Sequence, residues 1–362
     1  MGFSPNPWIT PEFGFAAGFD EFEVLMPELP FSTSSADPGT ALENPNFVKI
    51  LRWLIDGNPV KRLTNGLYEK FFHQLPYLPA EQVNEAVLDR LSTADEPWFA
   101  FVNFMDAHES YGMQPDFLSP DQDIDEDALA VKWNLHCYEN GPDPGTHRSI
   151  RTYYDSAVSY LDRRLEELLS AVNLEETFLV VVSDHGQSLG EENYWGHGTH
   201  LTESLTEVPL VVRSPGDKGL TLKSTEIVDL SDIPDTVTDF VGVNTERMSW
   251  KSNMDRFSDV AVVESLGPHQ QVDFLPEGIS LSGYRSICTS DGCLFSNLDT
   301  EERRYTGDTP DENELQRVYE LDKRVFELPN GAMRMLPKKL VPRRNAGLRI
   351  SGICDPYFSS LI

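Results

Sequence analysis

Hydrophobic positions along the chain fall into two patterns that alternate between about residue 42 and residue 241. Continuous apolar runs are typical of strands covered on both faces, and they lie at 98–104, 177–182 and 209–212. Apolar residues at helical spacing predict helices at 42–55, 79–91, 149–172 and 231–241, the last between a capping Ser231 and Gly242. Strands that alternate with helices predict an α/β fold with a mostly parallel sheet flanked by helices.

The pattern changes after about residue 255, where short strand-like runs follow one another without long helices between them. They lie at 259–264, 284–288 and 293–297, and an Asp-Gly turn joins the last two. This spacing predicts a smaller, antiparallel C-terminal α+β subdomain. We therefore expect a large catalytic domain, the small subdomain and a surface tail, with bounds at 1–250, 251–330 and 331–362.

The charge of the chain restricts its possible partners. There are 29 basic and 59 acidic residues, which gives a formal net charge of −30 that is spread along the whole length. Nucleic acid binding needs a basic patch, and an anionic membrane surface would repel this chain, so we expect neither partner. We interpret the dispersed acidity as adaptation to a saline cytoplasm of the haloarchaeal kind, because salt screens the self-repulsion. The alternative is an ordinary acidic protein.

Cysteine content and apolar length bear on the compartment. The four cysteines are too few and too scattered for a disulfide framework. Cys288 and Cys293 flank the Asp-Gly turn and would face each other across a hairpin, but two reduced cysteines are the interpretation we favour. Neither a membrane-spanning stretch nor a signal-peptide pattern is visible, which predicts a cytoplasmic protein. The sequence does not indicate an oligomeric state. The remaining two cysteines are Cys137 and Cys354.

A polar sequence follows the apolar run at 177–182. Ser-Asp-His-Gly at 183–186 stands where the carboxyl end of a strand would present it, which is the edge at which open parallel sheets bind ligands. Asp184 and His185 offer an oxygen and an imidazole nitrogen to one divalent cation. Taken alone, such a pair is more often a turn with a locally satisfied histidine.

Three further histidines extend this chemistry. His197 stands between two glycines, which is typical of a loop where a histidine can approach a substrate and donate a proton; the simpler interpretation is a surface histidine. His200 follows three residues later. His108 comes just after the run at 98–104, or belongs to a turn that merely ends that strand. We expect this strand and the one at 180–184 to be neighbouring or near-neighbouring parallel strands in one sheet. Its carboxyl edge should then gather His108, Asp184, His185 and His197.

The order of motifs resembles that of the sulfatases of the alkaline-phosphatase superfamily. Met-Asp-Ala-His-Glu-Ser-Tyr at 105–111 is similar to the family's Met-Asp-Pro-His-x-Pro-Tyr, and the sequence at 154–162 resembles its Tyr-Asp-x-x-Val-x-Tyr-x-Asp. Ser-Asp-His-Gly, Trp-Gly-His-Gly and Val-Pro-Leu-Val-Val-Arg-Ser-Pro-Gly follow in the family's order. The resemblance covers residues 1 to about 330 and implies an alkaline-phosphatase-like fold.

The resemblance also implies an activity and a set of site residues. The reaction would be hydrolysis of a sulfate monoester of a small molecule or saccharide, as in an arylsulfatase. Asp184 and His185 would bind a divalent cation, with calcium preferred and manganese or zinc left open. His108 and His197 would be catalytic, contacting the sulfate and protonating the leaving oxygen, and His200 would be a weaker substrate-binding residue. A phosphoester or phosphonate hydrolase of the same superfamily is the nearest alternative.

Two elements of the family pattern are absent. The family's nucleophile lies in Cys/Ser-x-Pro-x-Arg, whose first residue is oxidised to formylglycine, and this sequence occurs nowhere in the 362 residues. The Asp-Asp pair of the family's metal site is absent as well. We therefore expect an N-terminally truncated chain without a nucleophile and without appreciable turnover, or else a non-catalytic remnant. In addition, Gln187 replaces a frequent glutamate.

Overall fold

The computed structural model describes part of the chain in atomic detail. The predicted helix at 42–55, Cys137, Cys354 and the predicted tail lie outside the described residues. The chain divides into two compact units: unit 1 comprises Met1–Trp133, Pro142–Leu174 and Ser360–Ile362, and unit 2 comprises Asn134–Gly141 and Glu175–Ser359. The domain bounds expected from the sequence stay a prediction. The described residues are 1–27, 58–64, 77–108, 111, 144–191, 195–197, 200–217, 227–243, 260–265, 283–307, 313 and 315–319.

Within the described residues, unit 1 contains a parallel three-stranded sheet with helices packed on it, which confirms the predicted α/β class. The strand order is β2 (Phe22–Val24), β1 (Gly2–Ser4) and β3 (Phe101–Val102). Gly2 lies opposite Phe22 on one side and Phe101 on the other. No helix in the described stretches is long and apolar enough to cross a membrane. The helices that pack on this sheet are α1 (Ala80–Leu91) and α2 (Pro144–Ser170). Residues 59–64 are also helical.

The core of unit 1 lies where the sheet meets its two helices. Val83 and Val87 stand one turn apart on α1, and both are fully buried. They pack with Phe3 of β1 and Leu168 of α2 in one apolar cluster. Burying a side chain of this kind stabilises a fold by roughly 1.5–3 kcal/mol, so this cluster holds α1 and α2 on the sheet.

The apolar run at 98–104 is less buried than its sequence predicts. Phe99 is 59% exposed and Phe101 is 37% exposed, whereas Phe104 packs against the core cluster. Alternate side chains of a strand point to opposite faces, so only one face of β3 meets the helices. On the other face Phe99 and Phe101 contact the ring of Phe19. The prediction of a strand covered on both faces is therefore wrong for this segment.

In unit 2 a strand pair departs from the predicted parallel sheet. β4, Leu179–Val182, pairs antiparallel with β7, Leu210–Arg213. Within the described residues β4 has no other strand partner, so the expectation that it neighbours the 98–104 strand in one sheet is not met. β7 pairs antiparallel with β4 because the chain after β4 turns back through short elements. These are β5, Ser188–Leu189, β6, Trp195–Gly196, and the one-turn helix α3, Glu203–Thr206.

The helix predicted at 231–241 forms as α4, Asp232–Val241. Gly242 ends it with a φ of 71°, a left-handed conformation that side chains with a Cβ rarely adopt. At the other end, Ser231 does not cap the helix through its side chain, because its hydroxyl donates to the carboxylate of Asp229 instead. The extent of the helix follows the sequence pattern, and the capping contact does not.

The predicted antiparallel subdomain forms a four-stranded sheet in the described part of unit 2. All neighbouring strands in it are antiparallel. The strand order is β11 (Arg303–Gly307), β10 (Gly292–Asn297), β9 (Tyr284–Thr289) and β8 (Ala261–Ser265). Both faces are covered, since Ile287 and Leu294 belong to one apolar cluster while Cys293 and Phe295 belong to another.

Cys288 and Cys293 are joined by a disulfide within this sheet. They lie directly opposite each other on β9 and β10, with their Cα atoms 4.0 Å apart. The tight turn after Thr289 sets this register, and a register shifted by one residue would place the two side chains on opposite faces. The prediction of two reduced cysteines is therefore wrong for this structure.

A buried ion pair lies across β8 and β9. Glu264 and Arg285 are opposite each other in the strand register, and their side chains are 8% and 0% exposed. Nε and Nη2 of Arg285 both donate to Oε1 of Glu264, at 2.9 Å and 2.6 Å. Removing one member of such a pair leaves an uncompensated charge in the core.

Candidate active site

The Ser-Asp-His-Gly sequence forms a tight turn directly after β4. Ser183 Oγ donates to the carbonyl of His185 at 2.6 Å, and the His185 N–H donates to Asp184 Oδ1 at 3.0 Å. Gly186 donates to a backbone carbonyl of α3 at 2.9 Å. A Cβ on Gly186 would lie 2.0 Å from the carbonyl oxygen of Ser204, so only glycine allows this close approach. The turn is thereby held against α3.

The side chains of Asp184 and His185 suit a shared cation. Oδ1 of Asp184 lies 3.8 Å from Nε2 of His185, which fits two donors with metal bonds of about 2.0–2.6 Å. Nδ1 of His185 lies 2.8 Å from the carbonyl oxygen of Gly186. A carbonyl cannot donate, so Nδ1 carries the proton and Nε2 of the neutral ring keeps its lone pair. Metal-binding histidines are usually held by such a bond.

The metal fit is limited by the number of ligands. The side chain of Asp184 is 79% exposed and that of His185 is 25% exposed, so water reaches both groups. The described part of the chain contains no group of three or more His, Cys, Asp or Glu side chains placed to bind one metal ion. These residues therefore supply two ligands, a carboxylate oxygen and an imidazole nitrogen.

His197 lies beside this pair. It follows β6 directly and is 6% exposed. Its ring centroid lies 4.3 Å from that of His185, with 31° between the ring planes. Its Nδ1 lies 3.0 Å from Oε1 of Gln187. The structure thus brings a buried histidine, the predicted metal ligand His185 and the neighbouring Asp184 together within unit 2.

His200 is placed by the four-stranded sheet. Its ring packs edge-on against Tyr284 of β9, with 4.9 Å between centroids. Burial, together with the positive charge of Arg304, lowers the pKa of His200 to about 4. The imidazole is therefore neutral near pH 7. Its predicted part in substrate binding stays a prediction.

His108 lies in unit 1, just beyond β3. Its backbone N–H donates to the carbonyl of Met105 at 3.0 Å. The carboxylate of Asp106 holds the same loop by accepting the N–H of Ala80, at the start of α1, at 3.0 Å. Burial raises the pKa of Asp106 to about 6, more than this hydrogen bond lowers it. Since His108 belongs to unit 1, its meeting with the residues of unit 2 stays a prediction.

Some residues that shape the site carry little signal in the sequence. Three hydroxyls hydrogen-bond one another behind the turn: Ser188 to Ser204 at 2.8 Å and Thr202 to Ser204 at 2.9 Å. Serine and threonine follow no apolar period, so pattern analysis does not detect them. The sequence marks Gln187 as the replacement of a frequent glutamate, but its contact with His197 follows only from the structure.

Comparison with known proteins places the chain in a family. The family model described as Sulfatase matches residues 39–243, which is more than half of the chain. The chain therefore belongs to the sulfatase family. The resemblance carried by its motifs is confirmed at this level.

Three named sulfatases are identical to this chain at one quarter or slightly more of the aligned positions. Choline-sulfatase of Rhizobium meliloti is 25% identical over 236 residues, which is 59% of this chain and 45% of the relative. Human iduronate 2-sulfatase is 28% identical over 171 residues, 38% of this chain and 31% of the relative. Arylsulfatase of Clostridium perfringens is 27% identical over 199 residues, 49% of this chain and 40% of the relative. The matches thus span less than half of each of these relatives.

Solved structures show a weaker likeness. A phosphonate monoester hydrolase from Silicibacter pomeroyi has a TM-score of 0.46 at 16% identity, covering 68% of this chain and 60% of that chain. A 2-O GAG sulfatase has a TM-score of 0.46 at 11% identity, covering 68% of this chain and 61% of that chain.

Proposed function

We propose that this chain is a sulfatase-type hydrolase domain for a sulfate monoester of a small molecule or saccharide. The observation that carries this is the packing of His197 against His185 at 4.3 Å, beside the carboxylate of Asp184. A pair of cation ligands thus adjoins a buried histidine that can move a proton. Cleavage of a sulfate ester calls for both, because negative charge develops on the sulfate and on the leaving oxygen. Membership of the sulfatase family supports the same reaction class.

A divalent cation is part of this proposal. Oδ1 of Asp184 and Nε2 of His185 would hold it, and the bound ion would supply positive charge against the sulfate oxygens. Calcium is the preferred ion because a carboxylate oxygen is a hard ligand. The imidazole ligand leaves manganese and zinc as alternatives.

The histidines have separate proposed roles. His197 is the proposed general acid: Gln187 occupies its Nδ1, so Nε2 is the atom that would give a proton to the leaving oxygen. His108 would contact the sulfate. His200 is neutral near pH 7, so in substrate binding it would contribute a hydrogen bond and no charge.

The proposed reaction also requires a nucleophile. The 362 residues contain no Cys/Ser-x-Pro-x-Arg sequence, so we assign this role to no residue of the chain. We propose that the chain by itself binds a sulfate ester in a metal-dependent way and turns it over negligibly.

Ester binding by the purified 362-residue chain tests the proposal. We expect p-nitrophenyl sulfate to raise the melting temperature in calcium but not in excess EDTA, and p-nitrophenyl phosphate to act more weakly. His197→Ala should abolish the shift, and the control His147→Ala, on helix α2 of unit 1, should preserve it. A stronger response to the phosphate ester would indicate a phosphoester hydrolase. No response to either ester would indicate a non-catalytic remnant.

We also propose that the chain is of a haloarchaeal type. The support is the net charge of −30, whose self-repulsion weakens as salt shortens the screening length from about 10 Å at 0.1 M to about 3 Å at 1 M. The melting temperature measured by circular dichroism should therefore rise markedly from low to multimolar potassium chloride. Equal melting temperatures would contradict this adaptation.

A further inference from the structure

Gln187 reaches His197 with its side-chain amide. Oε1 of Gln187 lies 3.0 Å from Nδ1 of His197, a residue that is 6% exposed. The amide oxygen has lone pairs and no proton, so the proton between the two atoms belongs to Nδ1. In a neutral histidine, the hydrogen bond of one ring nitrogen decides which nitrogen is protonated. This contact therefore selects the Nδ1–H form.

The backbone around Gln187 is fixed by the β5–β6 hairpin. Ser188 lies opposite Gly196 in this antiparallel pair, so the next pair outwards is Gln187 and His197. Ser188 is fully buried, and its hydroxyl is 2.8 Å from that of Ser204. Shifting the strand would break this buried polar contact and leave its hydroxyl groups without each other. The register of the hairpin thus brings the amide to the ring.

His185 is held in a similar way. Its Nδ1 lies 2.8 Å from the carbonyl oxygen of Gly186, and its ring lies 4.3 Å from that of His197. In both rings Nδ1 donates to an oxygen, so in both neutral rings Nε2 carries the lone pair. The two acceptors differ in kind, since His185 uses a backbone carbonyl and His197 depends on a replaceable side chain.

We propose that Gln187 is a positioning residue for His197. By accepting the Nδ1 proton it sets the tautomer and orientation in which Nε2 exchanges the proton with the substrate. During proton exchange at Nε2, Nδ1 keeps its own proton and its bond to Gln187. The role of Gln187 in ester cleavage rests on the proposed function, whereas the Nδ1–H tautomer of His197 does not depend on it.

Nitrogen NMR on the 362-residue chain labelled with 15N-histidine tests the tautomer directly. At about pH 8, above the usual histidine pKa of about 6.5, long-range proton–nitrogen spectra distinguish Nδ1–H from Nε2–H rings. We expect His197, assigned by its loss in His197→Gln, to show the Nδ1–H pattern. Gln187→Met keeps the side-chain length but removes the acceptor, and should shift the ring to Nε2–H or to a mixture. Gln187→Glu keeps an acceptor oxygen and should retain Nδ1–H.

The outcomes separate this inference from the proposed function. An Nε2–H pattern in the unsubstituted chain would overturn the inference whether or not the variants fold, and so would an unchanged Nδ1–H pattern in a folded Gln187→Met chain. The signals of His200, which packs against Tyr284 within unit 2, should stay constant throughout and report that this unit is folded. In the ester-binding experiment, Gln187→Met should weaken the response to p-nitrophenyl sulfate by about 10–100-fold in apparent affinity, and Gln187→Glu should restore it. The expected tautomers without any ester response would count against the proposed function alone.

Discussion

The candidate site and the four-stranded sheet both belong to unit 2, and they are built in opposite ways. In the sheet, Ile287 and Leu294 are 1% exposed and Arg285 is fully buried. In the site, the side chain of Asp184 is 79% exposed, and His197 is held by a hydrogen bond and a ring contact. Buried area stabilises the sheet, whereas polar contacts position the site. Substitutions in the sheet should therefore change the free energy of unfolding, and those in the site should change ligand binding.

Breaking the buried ion pair should have the largest effect. Arg285→Met removes the guanidinium that pairs with the carboxylate of Glu264 in the core, which we expect to lower the free energy of unfolding by about 3–5 kcal/mol. Urea unfolding followed by circular dichroism measures this loss. The double variant Arg285→Met, Glu264→Leu should recover most of it, because no buried charge remains. A single variant as stable as the original chain would show that the pair is not buried as described.

The carboxyl group of Asp106 in unit 1 is buried, whereas that of Asp184 in unit 2 is exposed. Burial raises the pKa of Asp106 from its ordinary value of 3.8 to about 6. The folded chain thus binds the proton of the Asp106 carboxyl group more tightly than the unfolded chain does. The resulting contribution to the free energy of unfolding is fully present below about pH 4 and is lost as the pH rises through about 6. The contribution corresponds to roughly 2–3 kcal/mol.

Replacing Asp106 by asparagine should remove this pH dependence. Asparagine keeps an oxygen that can accept the N–H of Ala80, but it does not titrate in this range. Urea unfolding of both chains between about pH 4 and pH 7 should give a flatter curve of stability against pH for Asp106→Asn. Parallel curves would contradict a raised pKa for this carboxyl group.

Reduction of the disulfide should have a smaller effect on the sheet. Cys288 and Cys293 close a loop with a sequence separation of 5, for which chain entropy gives roughly 2 kcal/mol of stabilisation. A thiol reductant should therefore lower the melting temperature of the oxidised chain. The variant Cys288→Ser, Cys293→Ser should be less stable and should not respond to the reductant. Equal responses of the two chains would argue against a disulfide between these residues.

Removal of a metal ligand should leave stability almost unchanged and alter binding alone. With two ligands among the described residues, calcium should bind with a Kd on the order of 10⁻³ M or weaker. Asp184→Asn and His185→Ala should each abolish the heat of binding in a calorimetric titration. Glu175→Gln, which removes another exposed carboxylate of unit 2, should leave it unchanged. Calcium binding that survives both ligand substitutions would place the cation elsewhere.

The sequence was most informative where short-range forces decide the structure. α1 at Ala80–Leu91 lies within the predicted range 79–91, and α4 at Asp232–Val241 lies within 231–241. The β9–β10 hairpin formed around the predicted Asp-Gly turn. Helical periodicity, a left-handed glycine and turn chemistry all act within a few residues, so they can be detected in one segment at a time.

The exposed face of β3 shows where this approach fails. The run at 98–104 is apolar at nearly every position, but Phe99 is 59% exposed because only one face of the strand meets the helices of unit 1. An apolar run indicates that burial of the strand is favourable, but it does not indicate which segments of the chain will cover it. The covering segment is set by the packing of distant elements.

The sequence by itself determined the family, the α/β class, the main helices and the residues that supply candidate chemistry, among them Asp184, His185 and His197. Only the tertiary structure decided that β4 pairs with β7, that Cys288 and Cys293 are joined, and that Gln187 contacts His197. The first group follows from residue types, their spacing and the order of motifs. The second depends on strand register and on which remote segments meet, and a register shifted by one residue would reverse the faces of all these side chains.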